Sequence, residues 1–285
     1  MTSLGLALVL AAAICHATWN FFVKRIDGGP ELIWLFSIVS VVLYLPLAIW
    51  IIAVEQPELG LAQFGFIAGS TILHLGYFLL LQTGYRKGDL SLIYPTARAT
   101  GPILSSVLAI TLLGEKLVPQ MAVGAAIIIL GVFFLTGGIR RNMSDSTASL
   151  LFGIGAGMLI GSYTAWDAHA VSVLLVPPLL LDYVSSLGRA TLLAPIALRK
   201  RQLIASHWRE HRLGVLAIAA FNPLAYILVL YALTFTPVTY VAPLREVSVL
   251  LTVLAGSFLL REGNIAQRLG WAAFILAGMT ILVTG

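Results

Sequence analysis

The sequence predicts an all-α integral membrane protein, with ten transmembrane helices as two inverted five-helix repeats. Three observations predict it. Of its 285 residues, 59% are hydrophobic and 10% charged, with a mean hydropathy of +0.98, whereas a soluble globular chain carries about 25% charged residues. Apolar runs recur along the chain at the length, about 20 residues, that a hydrocarbon core about 30 Å thick requires of a helix. Fragments of the first half also recur in the second at a nearly constant offset.

The runs follow in order. The first, 2–23, has no basic segment before it of the kind that opens a signal peptide, and is expected to stay in the membrane. Runs at 32–54, 61–85, 90–113 and 118–138 complete the first half. A polar stretch at 140–149 (Arg-Arg-Asn-Met-Ser-Asp-Ser-Thr-Ala-Ser) divides the chain into 1–139 and 150–285 and is expected to be a cytoplasmic linker. The second half holds runs at 150–170, 173–198, 213–233, 238–260 and 266–284, with Pro177 and Pro178 interrupting the start of its second span. The continuity of the runs excludes the alternating short segments of a membrane barrel.

Charge gives the orientation. Thirteen lysines and arginines lie in loops after odd-numbered spans, from Lys24 and Arg25 to Arg268, against Lys116 alone after the even ones. Basic loops face the cytoplasm, so both termini are expected outside. The same clustering leaves no basic stripe interleaved with aromatics, and nucleic acid is not an expected partner. Cys15, the single cysteine, has no intrachain partner.

The repeat is read from matching fragments. Ile14–Asn20 falls opposite Gly161–Asp167, each ending in Trp followed by Asn or Asp. Tyr94-Pro95 falls opposite Ala242-Pro243, and the runs after them end in Leu-Leu-Gly-Glu115 and Leu-Leu-Arg-Glu262. Five spans are an odd number, so the second half enters the membrane upside down, as in transporters with inverted repeats. Such repeats, with a proline-bearing fourth span and a Gly-Glu or Arg-Glu turn into the fifth, resemble the EamA family of the drug/metabolite transporter superfamily. The likeness covers essentially the whole chain and is greatest to bacterial exporters of amino acids and metabolites, the aromatic amino-acid exporters among them.

The resemblance implies ten helices around a central cavity and alternating access by rocking of helix groups. It implies a secondary transporter exporting amino acids, aromatic and other apolar ones included, or related small metabolites across the inner membrane. No enzyme activity and no cofactor are expected, and one chain could suffice as a monomer in the bilayer. Efflux of hydrophobic cations and transport of a sugar or nucleoside-type metabolite are the alternatives. The first is disfavoured because the first span carries no carboxylate. No Gly-x4-Gly-Lys loop occurs, so ATP-driven transport would need a separate subunit. An intramembrane enzyme is less favoured still: Gly69-Ser70 and Gly256-Ser257 lack the Gly-x-Ser arrangement with a histidine partner, and a His-Glu-x-x-His motif is absent.

Charges within spans face a cavity or a partner, because a charge at the bilayer centre costs about 2.5–3.5 kcal/mol. Arg98, between Pro95 and Pro102, and Arg245, after Pro243, either hold a substrate carboxylate or form internal pairs. Glu246 is a candidate for a substrate ammonium or a proton, whereas Asp182 and Arg189 read as structural partners. His16 and His74 are intramembrane histidines, and His74 with Tyr77 is expected at the cavity wall. Trp19, Trp166, Tyr94, Tyr163 and Tyr226 complete the candidate substrate-binding set; Trp34, Trp50 and Trp271, at run ends, read as interface anchors. Pro95, Pro102, Pro237 and Pro243 are the candidate hinges. Gly153, Gly157 and Gly161, four residues apart, are expected to let helices pack closely. Glu115 and Glu262 are expected to cap the fifth helix of each half.

Overall fold

In the computed structural model, residues 1–26, 28–87, 90–116, 118–135, 146–251 and 265–284 are described. They form ten helices and no strand. These are α1 (Ser3–Ile26), α2 (Pro30–Glu55), α3 (Leu61–Lys87), α4 (Leu90–Leu112) and α5 (Pro119–Leu135), then α6 (Ser146–Ser172), α7 (Pro178–Arg199), α8 (Arg201–Leu233), α9 (Val238–Arg245) and α10 (Ile265–Thr284). Residues 247–251 turn helical again after α9. The cores of the expected runs lie in these helices, apart from 252–260 and most of 140–149, including Arg140 and Arg141, which fall outside the described residues, as does Glu262.

Six helices, α1, α2, α3, α6, α8 and α10, are long and apolar enough to cross a membrane. Three of the others depart for visible reasons. α5 has 17 residues, α7 carries Asp182, Arg189 and Arg199, and α9 breaks at Glu246 after Pro243. The polarity of the bundle is inverted relative to a soluble protein. Val42 and Ile72 are 67% and 65% exposed, whereas Asp167 and Glu246 are fully buried. An exterior of that kind is covered by lipid rather than water.

α8 begins twelve residues before the expected span. Its charged opening, with Arg201, Arg209 and Glu210, joins the apolar part at His211, whose φ of −129° departs from helical geometry. The chain there is too polar for hydrocarbon, so the kink separates a surface segment from the span.

Packing interleaves the two halves. α1 lies on α8 and α6 on α3; α4 lies on α6 and α1 on α9; α2 packs on α7 and α5 on α10. Replacing each helix by the one five places along the chain turns these pairings into one another. Glycine makes two of these pairings possible. A Cβ on Gly157 would sit 2.5 Å from Thr100 Cβ, one on Gly161 2.6 Å from Leu104 Cβ, and one on Gly124 2.5 Å from the Leu282 amide. α6 therefore meets α4, and α5 meets α10, almost backbone to backbone.

One expected cap is corrected. Glu115 accepts hydrogen bonds from the Val238 and Thr239 amides at 2.7 and 3.0 Å, and from the Thr239 hydroxyl at 2.8 Å. It therefore caps α9 of the other half rather than α5. Gly114, at φ +71°, turns the chain out of α4, a conformation that glycine adopts without the strain of a Cβ. That turn brings Glu115 to the exposed amides at the start of α9, where a carboxylate also favours the helix dipole.

Candidate functional site

Seven helices surround an inner cavity of about 100 Å³. α1 supplies His16, Trp19 and Asn20, and α3 supplies His74, Tyr77 and Phe78. Tyr94 and Arg98 come from α4, Tyr163 from α6, and Arg245 from α9. α7 gives Asp182 and Arg189, and α8 gives Asn222 and Tyr226. α2, α5 and α10 contribute nothing and brace the rest from outside.

Its aromatic walls are ordered by contacts among themselves. Tyr163 stacks on His74 at 3.9 Å, with Tyr226 edge-on to the same imidazole at 5.0 Å. Trp19 donates its indole N–H to His16 Nδ1 at 3.0 Å, which makes that nitrogen an acceptor. Each arginine lies over a ring: Arg98 over Tyr94, Arg189 over Phe78 and Arg245 over Tyr163, at 5.7 to 5.9 Å. Such placements stabilise a cation partly removed from water.

Charge is distributed unequally among these arginines. Arg98 Nε lies 2.9 Å from Glu246 Oε2, and its Nη2 donates to the Ser248 hydroxyl at 3.3 Å. The N–H directions at Nε are poorly aligned with the carboxylate, so the contact is an ion pair more than a hydrogen bond. Arg189 donates to Ser186 at 2.8 Å, and Ser186 also bonds Asp182, linking the two charges along α7. Arg245 is different. It is 4% exposed, its Nε lacks a hydrogen-bond partner, and no described carboxylate lies within ion-pair distance. Among the described residues, its hydrogen bond is a long one, to Thr164 at 3.4 Å.

Beneath the wall lies a second polar group. Asp167 of α6 is fully buried; its Oδ2 accepts the Tyr226 hydroxyl and lies 3.0 Å from His74 Nε2, while Oδ1 has no hydrogen-bond partner among the described residues.

Eight of the ten expected substrate-binding residues meet at this cavity: Trp19, His74, Tyr77, Tyr94, Arg98, Tyr163, Tyr226 and Arg245. Trp166 does not. Its indole fills a slot left open by Gly69, stacks on Phe66 at 4.2 Å and donates to the Phe66 carbonyl at 2.8 Å. There it lines a lipid-side groove with Leu108 and Leu112. Glu246 is also set apart, buried behind the wall against Arg98. Asp182 and Arg189, read as structural partners, instead line the cavity while linked through Ser186. Among the hinge candidates, Pro95 and Pro102 lie within a continuous α4, Pro237 precedes α9, and Pro243 lies two residues before its last residue.

Sequence reasoning passed over Asp167, Asn20 and Asn222 as site residues. Asp167 had a signal, since it stands opposite Asn20 in the repeat and is a carboxylate within a span. Asn20 and Asn222 are polar without being charged, and spans tolerate many such residues for packing alone.

The sequence profile of the EamA-like transporter family matches this chain twice, over residues 3–137 and 147–284. No curated protein matches it. Solved structures do: one crystal structure of a protein aligns over 99% of this chain and 96% of its own, with a TM-score of 0.73 at 14% identity. At that identity the likeness speaks for the fold alone.

Proposed function

The chain belongs to the EamA-like transporter family, and from that premise we propose that it is a secondary carrier exporting amino acids or related small metabolites. Membership makes it a membrane transporter of small molecules. The finer reading places it in the inner membrane with both termini outside. Residues 1–139 and 150–285 then form two inverted five-helix repeats about a cytoplasmic linker at 140–149. The exchange of helix pairings five places along the chain supports that arrangement.

The buried guanidinium of Arg245, which has no carboxylate within ion-pair distance among the described residues, carries the substrate assignment. A buried charge without a partner is costly, and it faces a cavity rather than a carboxylate of its own protein. A solute carboxylate supplies the missing counter-charge. Asp182 on the same cavity offers a place for an ammonium group, and the rings of Tyr77, Tyr163 and Trp19 offer contact to an apolar side chain.

The cavity measures about 100 Å³. Ligand sites are commonly about 300–1,000 Å³. A solute therefore enters only when the surrounding helices part, as alternating access requires.

Counterflow in proteoliposomes tests the proposal. Radiolabelled aromatic, aliphatic and charged amino acids are compared with a nucleoside, a sugar and a lipophilic cation. Saturable exchange of amino acids is expected, and Arg245→Gln should raise the half-saturating concentration at least about tenfold. Exchange confined to the sugar, nucleoside or cation would contradict the substrate class.

A further inference from the structure

We propose that the His74–Asp167 pair is a proton-binding site, and that a proton moves through the carrier in the same direction as a carboxylate-bearing solute, so that export is driven by the outward solute gradient and carries a proton out with it. The inference rests on the reading of the cavity as the solute site.

A carboxylate wholly removed from solvent, with one oxygen unpartnered among the described residues, has a vacant acceptor position that a proton can take. Asp167 meets that description, and His74 connects it to the cavity. His74 lies at the wall, with Nε2 3.0 Å from Asp167 Oδ2. A proton arriving from cavity water on the open side is accepted by the pair, which gains one positive charge whether imidazole or carboxylate carries it. It leaves to water on the other side once the cavity opens there. The hydroxyl of Tyr226 holds Asp167 Oδ2 in place throughout.

The surrounding charges set the direction of coupling. From α9, Arg245 lies over Tyr163 at 5.9 Å, and Tyr163 lies on His74 at 3.9 Å, so Arg245 and His74 are no more than about 10 Å apart. From α7, Arg189 and Asp182 face the same cavity, linked through Ser186. From α4, Arg98 pairs with Glu246 of the α9 break, a carboxylate that also lies in the field of Arg245. His16 of α1, with Tyr94 of α4 and Tyr77 of α3, completes the titratable lining. Arg98 and Arg245 share the single Glu246 carboxylate and leave a net positive charge beside the cavity, so an added positive charge at His74 is opposed. A solute carboxylate on Arg245 removes that opposition. One charge at about 10 Å in an effective dielectric of about 20 changes an equilibrium by roughly tenfold or somewhat more. Each ligand thus favours the other by that factor, and linkage makes the effect reciprocal. For a monoanionic solute the cycle is electroneutral; for a zwitterion such as phenylalanine each cycle moves one positive charge, so the test vesicles also contain a potassium ionophore with equal potassium on both sides.

Two measurements on the full chain test this. Proteoliposomes containing a trapped pH dye are given an inward gradient of L-phenylalanine. We expect solute entry to acidify the lumen, and His74→Gln and Asp167→Asn to abolish the acidification. Solute entry with no acidification, or with alkalinisation, overturns the proposal. Infrared difference spectra of the purified chain between alkaline and mildly acidic buffer need no solute. A protonation band is expected in the wild type and absent from both variants; a band unchanged in both variants overturns the proposal. Should Asp167→Asn fail to fold, His74→Gln, which keeps a donor toward Oδ2, carries both tests. Absence of phenylalanine exchange from the wild type counts against the amino-acid reading, and the infrared result then decides the proton site separately.

Discussion

Arg98 and Glu246 show how one pair of side chains joins the two halves. They stand 148 residues apart, as do Pro95 and Pro243, so each occupies in its half the position that the other occupies in its own. Their ion pair at 2.9 Å thus links equivalent points of the repeat. Removing one partner leaves the other buried and uncompensated, which costs about 3–5 kcal/mol, whereas replacing both by apolar residues is often neutral. Arg98→Ala is therefore expected to lower the denaturation midpoint strongly, and Arg98→Met with Glu246→Leu to restore most of it. Equal loss in the single and double variants would contradict the pairing. The sequence places both charges in a fourth span, but their meeting is not legible there, because it depends on how two distant helices cross. The departure of Trp166 from the cavity is equally hidden: it follows from Gly69 on α3, a helix that the Trp-Asn and Trp-Asp match does not include.

At the scale of helices, α9 depends on a residue far from it in sequence. Glu115 satisfies two amides and a hydroxyl at its start, while Pro243 and the turn at Glu246 end it beside the cavity. Glu115→Ala is expected to cost about 0.5–2 kcal/mol, the range for loss of an N-terminal cap. Hydrogen exchange should also quicken at the Val238 and Thr239 amides; unchanged protection there would contradict the cap. The sequence marks the end of α4, through Leu-Leu-Gly-Glu, and the start of α9, through Pro237. It does not say that one end caps the other, since local pattern favours the adjacent helix. Helix positions were more legible, because apolar length fixes them almost alone. The start of α8 was not, since its charged first ten residues join the span through the His211 kink. The glycine series of α6 was legible because close approach needs the same small residue on every turn.

For the molecule as a whole, two polar latches lie at opposite ends of the bundle, counted along successive spans. At one end Glu115 holds α4 to α9. At the other, Glu31 of α2 binds Lys200 at 2.8 Å, with His207 at 3.9 Å, between α7 and α8. Both are closed around a cavity too small for a solute, so a carrier cycle needs each to open in turn. The repeat in the sequence announces a site between halves, and intramembrane arginines and aromatics announce its character. Which arginine takes the close ion pair with Glu246 is set by packing and is visible only in three dimensions. The most direct test of alternating access uses Asn222→Cys, at the cavity wall, with Cys15→Ser removing the native thiol. In vesicles of known orientation, a membrane-impermeant thiol reagent is applied to one face or the other, with and without a transported amino acid. Labelling from either face, slowed by the amino acid in both cases, is the predicted result. Labelling from one face alone, indifferent to the amino acid, would contradict the carrier account.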